Sequence, residues 1–215
     1  MTLVDASMPV AQVFASALRG HACLILDEDG ASGLLPTEVW LRDADDADEG
    51  LLDLCHGPTV DIGCGPGRMA EALARRGVPV LGIDVVPEAV RLSLGRGVAT
   101  LRRDVFDAVP GEGRWETALL ADGNIGIGGD PVALLERVRD LIAPTGSVVV
   151  ELAPPGTGVQ IRHVRLETEV GRSAPFPWTL VGTDAIAAVA GAARMRLVSR
   201  HRFGDRFCAV LEADR

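Results

Sequence analysis

The stretch VDIGCGPGRMAEALARRG, residues 60–77, decides the fold. An apolar run from Val60 to Ile62 meets glycines at alternate positions, Gly63, Gly65 and Gly67. A segment follows whose apolar residues, Met69, Ala70, Leu73 and Ala74, recur at helical spacing. A strand that runs through a glycine turn into a helix brings backbone N–H groups close to a ligand. Gly65 to Ala70 even satisfies the G-x-G-x-x-A pattern of dinucleotide binding. A nicotinamide oxidoreductase is therefore one reading, and the surrounding residues must choose.

Working outward, strands are expected at 59–62, 78–83, 98–103, 115–121 and 146–152. Helices are expected between them at 68–76, 87–94 and 131–141. This alternation predicts a mostly parallel α/β sheet with helices on its faces. The stretch 159–170 and the proline-rich SAPFPW of 173–178 interrupt it. Thr183 reads as the N-cap of a helix over 184–193, and 196–203 with 206–212 read as a terminal antiparallel hairpin. Residues 1–50 lie outside the alternation, and their acidic run RDADDADE (42–49) reads as a solvated helix face. The expected organisation is an N-terminal lid or substrate segment, 1–50, and one ligand-binding domain, 51–215, with an insertion at 155–180.

Composition narrows the function. The formal net charge is −9 and the pI about 4.9, so neither nucleic acid nor an anionic membrane is an expected partner. No apolar run reaches the roughly 18 residues of a membrane span. The N-terminal MTLVDASMPVAQVF lacks a basic n-region, so a cytoplasmic location is expected. The four cysteines, at 23, 55, 64 and 208, lack metal-ligand spacing. The chain has no lysine and no tyrosine. That excludes a P-loop lysine, Schiff-base chemistry and a tyrosine–lysine dehydrogenase.

Carboxylates identify the charge of the ligand. Asp61, Asp84, Asp104 and Asp122 all fall at or near strand ends, where an open parallel sheet binds its ligand. A pyrophosphate at the glycine turn would face Asp61 unfavourably, whereas a ligand bearing an ammonium and a sulfonium suits it. S-adenosylmethionine has both and no phosphate. Asp84 is placed to hold its ribose hydroxyls, Asp104 its adenine amino group, and the Val105 amide a ring nitrogen.

These residues resemble the class I S-adenosylmethionine-dependent methyltransferases. DIGCGPG (61–67) matches their D/E-x-G-x-G-x-G motif, GIDVVPEAV (82–90) looks like their ribose-binding segment, and RDVFD (103–107) resembles the adenine-contacting one. ADGN (121–124) occupies the motif after the fourth strand. DGNIGIGGDP (122–131) and APPG (153–156) are similar to a group of actinobacterial methyltransferases. The resemblance implies a Rossmann-like fold, a seven-stranded sheet with an antiparallel terminal hairpin, and S-adenosylmethionine as cofactor. It implies a cofactor site of Asp61, Gly63, Gly65, Asp84, Val85, Asp104, Val105, Asp122 and Gly123. DGNI departs from the proline-rich motif of nucleic-acid amino-methyltransferases, so a small-molecule acceptor with an O, N or C nucleophile is expected. A cofactor-binding protein of the same fold without activity is the alternative.

Candidates for a general base are His163, in the insertion, and Asp122, with Asn124 beside it. Cys64 reads as a small side chain filling a turn, His56 as a surface residue, His201 as structural, and His21 has no recognisable partner. Trp40 and Trp178 suit a core as well as a pocket wall. The acceptor pocket is expected between residues 1–50, through Trp40, and the insertion 159–178, which holds His163, Phe176 and Trp178.

Overall fold

The chain opens with helix α1 (Val10–Leu18), strands β1 (Leu24–Asp27) and β2 (Ser32–Leu34), and helices α2 (Thr37–Leu41) and α3 (Asp46–Leu52). The strand–turn–helix of 60–77 follows as β3 (Thr59–Ile62) and α4 (Arg68–Arg75). The alternation continues through β4 (Val80–Asp84), α5 (Pro87–Gly95), β5 (Thr100–Arg102) and β6 (Trp115–Leu120). A 3₁₀ segment (Asn124–Gly129), α6 (Pro131–Leu141) and β7 (Ile142–Leu152) complete it. Then come β8 (Val159–Thr168), β9 (Gly171–Arg172), β10 (Phe176–Val181), α7 (Ile186–Ala192), β11 (Met195–Phe203) and β12 (Arg206–Ala213). This computed structural model describes residues 7–28, 30 and 32–214. Residues 1–6, 29 and 31 of the N-terminal segment lie outside the described residues, and with them the first six residues of the stretch read for a leader.

Seven strands form the main sheet in the order β11-β12-β7-β6-β3-β4-β5. The pairs among β7, β6, β3, β4 and β5 are parallel, and β12 joins β7 antiparallel, with β11 outside it. The Rossmann-like expectation therefore holds, terminal hairpin included. Apolar runs without alternation are what a sheet buried on both faces requires. Val148 and Val150 of β7 pack with Leu134 and Val138 of α6 on one face, while Val149 packs with Leu73 of α4 and Leu51 of α3 on the other. The strand order reverses between β3 and β6, so the carboxyl ends of those two strands open a crevice.

The interrupting segments form a second sheet. Its order is β10-β8-β1-β2, with β9 on β8, so the insertion and the N-terminal segment pair with each other. SAPFPW reads as a break, yet Pro177 lies inside β10. An edge strand tolerates a proline because one of its sides needs no N–H donors. Two local expectations also change. Thr183 does not cap α7; instead Asp184 accepts from the N–H groups of Gly156 and Gly158. In the acidic run, Asp45 forms the capping box of α3 with Asp48, and Asp48 is fully buried rather than solvated. No helix among the described residues is long and apolar enough to cross a membrane.

Candidate active site

The glycine turn after β3 faces a cavity of about 590 Å³ at the carboxyl ends of β3 and β6. Gly65 adopts φ +54, and a Cβ built there would meet no protein atom. The backbone is left bare towards open space, as close approach of a ligand requires. Asp84, at the end of β4, accepts from Gly65 N–H at 2.9 Å and Val86 N–H at 2.8 Å, one bond to each oxygen. Both oxygens keep lone pairs for a pair of vicinal hydroxyls. Burial pushes the Asp84 carboxyl up, against the pull of those N–H groups. Val105 is buried with its carbonyl bonded to Arg137 Nε, while its own N–H has no partner among the described residues. These donors and acceptors fit an adenosine.

Of the expected cofactor residues, Gly63, Gly65, Asp84, Val85, Asp104, Val105 and Asp122 line the cavity. Asp61 and Gly123 do not. Asp61 lies beneath the turn, 2% exposed, with Oδ2 buried and unpartnered and a bond to the Ala70 N–H as its counterweight. Desolvation first, then repulsion from Asp122, pushes it up to about 7, although Arg68 opposes both. Cys64 is buried and its thiol is pushed well up by burial, which unfits it as a nucleophile.

Asp122 takes φ 52 just past β6. Arg68 donates to both its oxygens at 2.8 Å and Arg206 donates at 3.1 Å. The two arginines also reach Asp48, on α3, and Arg206 donates to Glu151 of β7 at 2.5 Å. Arg42 completes the set by pairing with Asp48 at 2.6 Å, so three carboxylates meet three guanidiniums. Both Asp122 oxygens accept from guanidinium groups, so its geometry suits orienting Arg68, which lines the cavity, rather than the expected role of base. Sequence reading missed this network because its members come from four separate elements, the loop after β6 and the residue just past α2.

The second sheet roofs the same cavity. Ile25 of β1 and Leu166 of β8, register partners, both line it, with Phe14 of α1, Trp40 of α2, and Phe176 and Trp178 of β10. The expected walls Trp40, Phe176 and Trp178 are thus together. His163 is not with them. It falls between Arg162 and Val164 on β8, and Val164 faces the cavity, so strand alternation turns His163 to solvent. Its side chain is 52% exposed and its ring lies 3.7 Å from Glu28. The other histidines are also elsewhere: His21 bonds Glu169 at 2.7 Å, His56 is exposed, and His201 bonds Ser199. Asn124 does line the cavity, and both its Nδ2 bonds, at 2.9 Å, go to the carbonyls of Ile62 and Gly63.

Residues 51–166 match the family described as Methyltransferase domain. No curated protein sequence matches the chain. Among solved structures, the chain is similar to an S-adenosylmethionine-dependent methyltransferase from Bacteroides fragilis in complex with S-adenosyl-L-homocysteine. The identity is 18%, the TM-score 0.79, and the match covers 100% of this chain and 98% of that one. A second similarity is to the 1,6-didemethyltoxoflavin-N1-methyltransferase of Burkholderia thailandensis, at 18% identity and TM-score 0.64, covering 99% and 94%. A third is to the CcbJ methyltransferase of Streptomyces caelestis, at 19% identity and TM-score 0.61, covering 82% and 92%.

Proposed function

The chain belongs to the methyltransferase-domain family, and from that premise we propose that it transfers a methyl group from S-adenosylmethionine to a small molecule held beneath the second sheet. When bound, this cofactor supplies a methyl already activated on a sulfonium. The protein's task is then positioning and exclusion of water. Asp84 would hold the ribose, the Val105 N–H the adenine, and the bare backbone at Gly65 would lie along the amino-acid portion. Asn124, with both amide hydrogens engaged, offers Oδ1 as an acceptor beside the motif turn and can orient a nucleophile's hydrogen.

The carrying observation is that one cavity runs from Asp84 to Trp40 and Trp178. A cofactor-binding protein without turnover has no need of that second, roofed compartment. One of the similar proteins is named as a 1,6-didemethyltoxoflavin-N1-methyltransferase, which supports a small acceptor. The reading is tested by thermal unfolding with S-adenosylhomocysteine and, separately, NADH. The homocysteine product is expected to raise the Tm by linkage and NADH to leave it unchanged. A shift with NADH alone would assign the cleft to a dinucleotide.

A further inference from the structure

The compartment beneath the second sheet differs in chemistry from the cofactor half. Helices α1 and α2 and strands β1, β8 and β10 contribute no ionisable side chain to its described lining. Its walls are flat: Phe14 and Trp40 lie 6.4 Å apart at 34°, and Phe176, Pro177 and Trp178 face the same space. A charged group placed there would lose hydration without gaining a counter-charge.

Two residues of that lining, Trp40 and Trp178, each carry one polar side-chain atom, the indole Nε1. Tryptophan N–H groups removed from bulk water normally find an acceptor, as Trp115 does on Pro110 O at 3.0 Å. Neither Trp40 nor Trp178 donates to an atom of the described residues, and neither nitrogen is among the sealed, unpartnered ones, so both stay open to solvent or ligand. Trp178 Nε1 is further located by Gly126, where a built Cβ would come within 2.8 Å of it, beside the loop that carries Asn124.

We propose that the acceptor is an uncharged, planar ring compound whose edge carries hydrogen-bond acceptors, and that the Trp40 and Trp178 N–H groups read that edge. This rests on the methyltransferase reading and narrows its acceptor. Methyl transfer is then balanced without a base in the compartment. The nucleophile's lone pair forms the bond to the methyl carbon, the sulfur–carbon pair returns to sulfur, and the nucleophile's proton leaves to water. Charge in the cavity belongs to the cofactor half, where Arg103 lines it and its side chain has no hydrogen-bond partner among the described residues. An anionic acceptor anchored on Arg103 is the competing outcome.

The test is calorimetry on the full chain. S-adenosylhomocysteine is titrated first, and the loaded protein then receives quinolinone, naphthalene or quinolinecarboxylate in separate runs. Quinolinone is expected to bind tightest. Trp40→Phe and Trp178→Phe keep a smaller ring face and remove the donor, so each is expected to weaken quinolinone about five- to tenfold more than naphthalene, the difference being the worth of one hydrogen bond. Tightest binding by the carboxylate, a loss of quinolinone affinity no greater than that of naphthalene in both variants, or no binding by any neutral ring to the loaded protein overturns the inference alone. Absence of heat with S-adenosylhomocysteine overturns the methyltransferase reading and the inference with it.

Discussion

Asp61 shows how a single residue links the motif to pH. In the folded chain its carboxyl holds a proton up to about pH 7, and in the unfolded chain only to its ordinary 3.8. Burial therefore costs nothing at acid pH, and its cost grows as pH rises through that window. Asp61→Asn is expected to stabilise the free protein by about 2–4 kcal/mol at pH 8 and by little at pH 4, read by urea unfolding. A difference independent of pH would show that Asp61 is ionised throughout. Asp84→Ala is a different experiment, because Asp84 faces the ligand. Losing charge-assisted bonds to two hydroxyls is expected to weaken S-adenosylhomocysteine by roughly 2–4 kcal/mol. An unchanged dissociation constant would place the ribose elsewhere.

Elements meet at two joints that neither motif nor periodicity announces. One is the arginine–carboxylate network joining α3, α4, β7, β12 and the loop after β6. Arg206→Met leaves buried Asp48 short of a partner, and an expected loss of about 3–5 kcal/mol in unfolding free energy checks this. A loss below roughly 1 kcal/mol, the level of an exposed ion pair, would deny the network its structural role. The other joint is the glycine-rich 3₁₀ segment, where Thr179 Oγ1 donates to Gly129 O at 2.6 Å. A Cβ at Gly129 would lie 2.4 Å from Pro177 Cβ, with φ already at +78. Gly129→Ala is expected to lower the Tm, by a cost of about 1–3 kcal/mol, while S-adenosylhomocysteine still binds. A wild-type Tm would mean that β10 does not rest on this segment. DGNIGIGGDP was legible as a motif, but its Gly126 and Gly129 serve contact with a strand that sequence reading took for an interruption.

At the scale of the whole molecule, legibility followed the range of the interaction. The main sheet was readable because each strand is a short apolar run and each helix carries its own period, and Asp84 was readable because its partner Gly65 lies in the adjoining motif. The second sheet was not. Its strands come from opposite ends of the chain, and β10 contains a proline that only its edge position permits. Trp40 and Trp178 could be proposed as walls because both lie outside the alternation, whereas the facing of His163 depended on β8 being a strand with Val164 turned inward. The central claim is that this fold holds S-adenosylmethionine along Gly65 and Asp84. Isothermal titration of S-adenosylhomocysteine into the full chain tests it most directly. One-to-one binding that Asp84→Ala weakens is the predicted result; no heat and no thermal shift at millimolar ligand would contradict it.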